Sequence, residues 1–317
     1  MQITSTYGKS LRNFGNLLLF LGLRYEASEF FLRLLARSVG KEASTVQDHF
    51  AWRRVYYCKP QLPQASIPQH HIGSLPLLGK SRYKADLARI FCQLPIRVKA
   101  NFLLGDITRI PAEPSLVKSR PIAGDNANSV LLPLDAQRHF QFVQDALAFD
   151  EKIPKVIWRG AAHHKRRKEF LLNAARFDCL DLGVTASKDL RFDEFRKPFT
   201  SIDDQLKYKF ILSVEGKDVA TNLKWIMSSN SLCFMPKPLY ETWFMEGTLI
   251  PGVHYVEIRD DASNLQEMAT HYTAHPDEAK AIIRNAQAYT QQFQDIENEL
   301  AIARSVVMAY AKATGQI

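Results

Sequence analysis

The sequence predicts an α/β protein of two domains, and three observations carry that prediction. From Lys155 onward, short apolar runs alternate with stretches of helical periodicity, the pattern of strand–helix units around a largely parallel sheet. Three apolar runs end in polar, glycine-bearing turns: Leu104-Gly105-Asp106, Trp158-Arg159-Gly160 and Val214-Glu215-Gly216. Ligands bind beyond the carboxyl ends of parallel strands, so these turns sketch a cleft between two Rossmann-like domains. Finally, 317 residues exceed what one small core organises and suit two domains of ordinary size.

Along the chain, residues 9–38 read as a helix, and 44–57 as a second helical stretch. The Pro/Gln/His-rich span 59–79 reads as loop, and 84–93 as a helix that ends before Pro95. A strand over 98–104 stops at Gly105-Asp106. Pro111, Pro114 and Pro121 then punctuate a long connection before a short apolar segment at 129–134. In the second half, strands are expected at 156–158, 179–184, 210–214, 231–235 and 254–258. Helices are expected at 168–177 and 203–208 and from Leu223 to Ser228. The tail over 276–312 is helical with one break. The expected domains are 1–150, 151–275 and a helical tail, 276–317, that crosses back to the first.

The composition, 46% hydrophobic and 23% charged, is that of a soluble globular protein. The net charge of +8 calls for an anionic partner: nucleic acid, an anionic membrane face or a phosphorylated substrate. Basic residues cluster at Arg53-Arg54 and Lys165-Arg166-Arg167-Lys168, which favours discrete anion sites over a diffuse coat. Cys58, Cys92, Cys179 and Cys233 form no CxxC pair and no zinc spacing, and read as reduced thiols. The adjacent pairs His70-His71 and His163-His164 do not share a helical face, so no structural metal is implied. The apolar run at 17–23 follows Lys9 and Arg12 as in a secretory signal, but no small-x-small cleavage site follows it. It is also too short to span a bilayer. Two readings stand for the helix around it: a core-packed helix, or a basic amphipathic helix lying on an anionic membrane.

Trp158-Arg159-Gly160 leads into a helix start carrying Lys165, Arg166 and Arg167. A glycine turn at a helix N-terminus offers backbone N–H groups to phosphate, and arginines add bidentate partners. The segment 215–224 likewise follows a buried strand and opens a helix. There Gly216 permits close backbone approach, Thr221 or Asn222 caps the helix, and Lys224 reaches toward phosphate. Neither a P-loop nor a GxGxxG fingerprint is present. Asp106, at a strand end, is a general-base candidate, since an attacking hydroxyl needs a carboxylate within hydrogen-bond reach.

These segments, in this order, resemble glycosyltransferase family 90. The similar stretches are Lys118-Ser119-Arg120-Pro121-Ile122, Ser129-Val130-Leu131-Leu132 and Val156-Ile157-Trp158-Arg159-Gly160-Ala161. The longest runs from Lys207 through Glu215-Gly216-Lys217-Asp218 to Ser231, and Trp243, Pro251 and His254-Tyr255-Val256-Glu257 close it. The likeness spans roughly residues 95 to 265. It implies a GT-B fold, an inverting mechanism without a catalytic metal, and a UDP-hexose donor, with no cofactor. The branch it most resembles is the bacterial lipopolysaccharide and lipooligosaccharide core enzymes. The expected acceptor is then a heptose of a lipid-linked core oligosaccharide, at the cytoplasmic face of the inner membrane and in peripheral contact with it.

On that resemblance Asp106 is the base. The donor is bound by Arg159, Gly160, Lys165, Arg167, Glu215, Gly216, Asp218, Ala220, Thr221, Asn222 and Lys224, and Lys118 and Arg120 lie on the acceptor side. The eukaryotic members carry arginine where this chain has Ala162 and Asn222, which redistributes the diphosphate contacts. Alternatives at this stage are a protein O-glycosyltransferase of the same family, a phosphotransferase without P-loop or kinase signatures, and a nucleic-acid-binding protein, for which no module motif is found.

Overall fold

A computed structural model of the chain describes residues 51–60, 67–68, 70, 81–94 and 97–317. The expected helix over 9–38, with its membrane alternative, and most of the connection over 59–79 lie outside the described residues. The chain divides into two compact units. The first holds the described residues up to Arg120 with Gly124–Ala136 and Ile296–Ile317, and the second holds Pro121–Ala123 and Gln137–Asp295.

The first unit has a parallel sheet of β1 (Asn101–Leu103), β2 (Ser115–Val117) and β3 (Ser129–Leu131), in that order. Strand β2 falls inside the proline-punctuated stretch expected to be a connection. Leu116 and Val117 are fully buried there, and burying them between two partner strands overrides the local turn signals. The helices α1 (Ala51–Tyr57) and α2 (Ser81–Phe91) belong to this unit, as does the C-terminal helix Ile296–Ala313. Arg53 of α1 is buried and gives Glu299 of the C-terminal helix two hydrogen bonds, 2.6 and 2.7 Å long. The Tyr310 hydroxyl donates to Pro114 O and accepts from Asn101 N–H. The end of the chain thereby holds the starts of β1 and β2.

The second unit contains β4 (Ile153–Ala161), α3 (Lys165–Ala174), β5 (Leu180–Ala186), β6 (Tyr208–Leu212), α4 (Leu223–Met227), β7 (Leu232–Met235), β8 (Val256–Glu257), α5 (Leu265–Ala274) and α6 (Pro276–Gln291). Its five strands are all parallel, in the order β8-β7-β6-β4-β5. Alternate residues such as Val156, Trp158, Phe210 and Phe234 face one way and meet Phe170 of α3, Leu265 of α5 and Ile282 of α6 in a continuous core. A period of two on the strands against 3.6 on the helices produces that layer. Helix α6 starts on Pro276 with Asp277 and Glu278 in its first turn, a favourable start.

Two local expectations change in this unit. Tyr208 opens β6, pairing with Ile153, and does not close the preceding helix, which covers Ile202–Gln205. The helix α5 was not expected; Leu265 and Ala269 bury on its one apolar face.

Candidate functional site

The strand order of the second unit reverses between β4 and β6: the chain passes from β4 outward to β5, then returns to the other side of β4 as β6. In open parallel sheets, that reversal leaves a crevice at the strands' carboxyl ends, where ligands bind. At that edge lie the end of β4, which runs as strand through Arg159-Gly160-Ala161 where a turn was expected because those residues pair with β5, and Glu215-Gly216 after β6; both are on the predicted donor side.

Helix α3 begins just after β4 with Lys165, Arg166, Arg167 and Lys168 and no acidic residue in its first turn, and His164 at the N-cap makes no side-chain cap bond. Cations at the positive end of a helix dipole are disfavoured by about 0.3–1 kcal/mol each. Carboxylates from this unit offset part of that cost: Lys165 faces Glu169, Arg166 pairs with Glu215 and Asp260, and Lys168 pairs with Asp189.

Arg167 occupies the centre of this edge. Its guanidinium donates to Ala161 O (3.1 Å), Val214 O (2.6 Å) and Glu215 O (3.1 Å), joining the ends of β4 and β6. Among the described residues no carboxylate oxygen lies within ion-pair distance of it, and it faces the Trp158 ring at 5.9 Å. Burial pulls its pKa down to about 10, against the attraction of Asp218 and Glu215. Gly216 is required beside it, because a Cβ there would lie 2.9 Å from Arg167 Nη2.

Glu215 holds the neighbouring turn. Oε1 accepts from the N–H groups of Leu239 and Tyr240, and Oε2 accepts from Arg166 Nη1 at 2.6 Å. Arg166 also reaches Asp260 at 2.8 Å. Burial pushes the Glu215 carboxyl up to about 7 despite the two amides and Arg166. Together with Phe170, Val214 and Pro236, these groups line a shallow open hollow.

The other predicted donor residues lie differently. Arg159 sends its guanidinium along the sheet to Asp181, with Nη2 2.9 Å from Oδ2, and Nε reaches Thr200. Lys197 and Tyr208 also bond Asp181. Burial works against ionisation there, but the three donors hold that carboxyl well below the usual range. Lys165 is at the surface beside Glu169. Asn222 bonds Leu212 O and accepts from Ser213, tying the start of α4 to the end of β6. Lys224 is fully buried and pairs with Glu246 at 2.5 Å. Asp218 and Ala220 are buried and Thr221 half-buried in the same loop.

In the first unit, Asp106 follows β1 directly after Gly105, whose φ of +124° calls for glycine. Lys118 Nζ lies 2.6 Å from its Oδ1. Arg120 is buried, donating to Ser129 O and Tyr56 O and lying 5.3 Å over the Tyr56 ring.

The fold thus gathers Arg167, Glu215 and Gly216 with the end of β4. It also adds Arg166 and Asp260, which were not among the predicted site residues. Arg166 had a sequence signal, as a member of the basic cluster at the start of α3. Asp260 is exposed and paired with Arg166. Among the described residues no group of three or more His, Cys, Asp or Glu is placed to hold a metal, and no described helix is long and apolar enough to cross a membrane.

These features define an α/β protein with a cluster of cations at the carboxyl edge of a parallel sheet. Comparison with known proteins narrows the class. Residues 136–314, more than half of the chain, match the model of glycosyl transferase family 90. The chain belongs to that family and is a glycosyltransferase. It is 45% identical over 259 residues to the O-glucosyltransferase LpsA of Dichelobacter nodosus, covering 81% of each chain. It is 31% identical over 148 residues to protein O-glucosyltransferase 2 of Danio rerio, covering 45% of this chain and 29% of that one. The corresponding figures for human protein O-glucosyltransferase 1 are 24% over 133 residues, 41% and 31%. Asp106, Lys118 and Arg120 precede the span matched by the family model.

Proposed function

We propose that the chain is an inverting, metal-independent hexosyltransferase of the GT-B type. It moves a hexose from a UDP-sugar to a heptose hydroxyl of a lipooligosaccharide inner core. The observation that carries this reading is Arg167, a half-buried cation that donates to three backbone carbonyls and packs against Gly216 where the strand order reverses. With the positive start of α3, it is suited to a diphosphate. The relatives are named as O-glucosyltransferases, which favours glucose over galactose as the transferred sugar.

The reaction is an in-line displacement. The acceptor oxygen bonds the anomeric carbon from the face opposite the nucleotide, while the bond from that carbon to the β-phosphate oxygen breaks and UDP leaves with the electron pair. Asp106 takes the acceptor's proton, and Arg167 with the helix start stabilises the charge growing on the departing diphosphate. In this reading Arg159 and Lys224, held by Asp181 and Glu246, keep the strand ends and the 242–246 segment in place and do not grip phosphate themselves. The acceptor is lipid-linked, so the enzyme works in peripheral contact with the cytoplasmic face of the inner membrane.

A panel of UDP-hexoses, with and without a heptose-terminated core oligosaccharide, tests the reading by UDP release. Release is expected with one hexose, and only when acceptor is present. Asp106→Asn is expected to lower transfer by at least about 1,000-fold while calorimetry still records UDP binding. No release from any UDP-hexose refutes the donor, and release triggered by a peptide and not by the oligosaccharide refutes the acceptor.

A further inference from the structure

The residues around Asp106 divide their exposure unevenly. The Lys118 side chain is 1% exposed, and that of Asp106 is 33% exposed. The ammonium reaches Asp106 Oδ1 from beneath at 2.6 Å, and the carboxylate shows its outer side to solvent. One residue further on, the same two segments are stapled again. Ser119 Oγ accepts from Ile107 N–H at 3.1 Å and lies 3.3 Å from Ile107 O, to which it donates. Lys118 and Ser119 directly follow β2, and Asp106 and Ile107 follow the neighbouring strand β1. The turn at Gly105 swings the carboxylate off the end of its strand, and the pair of staples fixes where it stops.

Burying an ammonium is costly unless it is paired. The hydrophobic stem of a methionine would fill the same volume without that cost. A lysine placed under a half-open carboxylate therefore serves the carboxylate. It puts a positive charge in contact with the carboxylate. It also restricts the side chain to the rotamer that its Oδ1 contact allows.

We propose that Lys118 is the positioning residue of the catalytic base and not an acceptor contact. It acts through Asp106, and the acceptor meets the carboxylate while the ammonium stays hidden beneath it. This inference rests on the assignment of Asp106 as the base.

The test is steady-state transfer from the active UDP-hexose to the core oligosaccharide by Lys118→Met and Lys118→Arg, with UDP titrated by calorimetry and thermal melting recorded for each. A misplaced reacting group costs on the order of 100-fold. The expected result for Lys118→Met is a loss in kcat of about 10- to 100-fold. Its UDP affinity and donor KM should remain within about 2-fold of wild type, a split that general loosening of the fold does not produce. Lys118→Arg, which restores the charge, should recover most of the loss.

Wild-type kcat in Lys118→Met overturns the proposal. So does a rise in acceptor KM at unchanged kcat, which would make Lys118 an acceptor contact after all. If Lys118→Met does not accumulate as folded protein, Lys118→Leu, which likewise removes the donor to Asp106, is read by the same outcomes. Asp106→Asn separates the two assignments. A fully active Asp106→Asn removes the base itself, whereas an inactive Asp106→Asn beside a fully active Lys118→Met removes only the positioning role.

Discussion

Replacing Gly216 with alanine tests the anion site through a single methyl group. The added carbon would sit 2.9 Å from Arg167 Nη2 and 3.2 Å from Cζ, about 0.5 Å inside ordinary contact with the nearer atom. A guanidinium at the end of a free side chain would swing aside at little cost. Here the head is held in one plane by Ala161 O, Val214 O and Glu215 O, so any retreat lengthens at least one of these bonds. A hydrogen bond to a charged group contributes about 1.5–3 kcal/mol. Arg167 is half-buried, and water replaces part of that, leaving a loss of about 1–2 kcal/mol. For a unit of this size, the loss lowers the melting temperature by about 2–8 °C. Displacing the cation by the same step should weaken UDP binding about 10-fold, the equivalent of 1.4 kcal/mol. Differential scanning calorimetry and UDP titration measure the two effects. A Gly216→Ala protein that melts with wild type and binds UDP equally well would refute the claim that Arg167 is fixed and central to the site.

Two further predictions concern the same sheet. At Gly183 a Cβ would lie 2.5 Å from Arg159 Cδ and 2.7 Å from Nε, against the stem of the side chain and not its tip. Gly183→Ala should therefore cost about 3 kcal/mol, the upper range for overpacking, and a melting temperature within 2 °C of wild type would contradict it. Glu215 has its carboxyl raised to about 7 by burial, so the folded state binds a proton that the unfolded chain has released. Its contribution to stability is fully present below the ordinary carboxyl pKa near 4.5 and is lost as pH rises through 7. The loss is at most about 3 kcal/mol. Urea unfolding of wild type and Glu215→Gln at pH 5 and 7.5 measures it: the variant should lose the downward slope, and parallel slopes would refute the assignment.

Much of the second unit was legible in the sequence because its signals are local. Apolar runs with period two, helical stretches with period 3.6 and glycine or proline breaks place β4 to β8 within a few residues. The basic cluster before Phe170 lies at the start of α3, as expected. The same locality explains the misses. Strand β2 hides among prolines because its stability comes from burial between β1 and β3, and α5 has too narrow an apolar face to stand out.

The sequence by itself determined an α/β chain with glycines near strand ends, a basic helix start and the run from Lys207 to Ser231 that resembles family 90. Only the tertiary structure decided the strand order that puts the ends of β4 and β6 side by side, and with it the place of Arg167. It also decided that Arg159 turns to Asp181, Lys224 to Glu246 and Lys118 to Asp106. Residue type and spacing reveal that a cation is available. Where its charge points depends on partners many residues away, brought near by packing that no local pattern encodes.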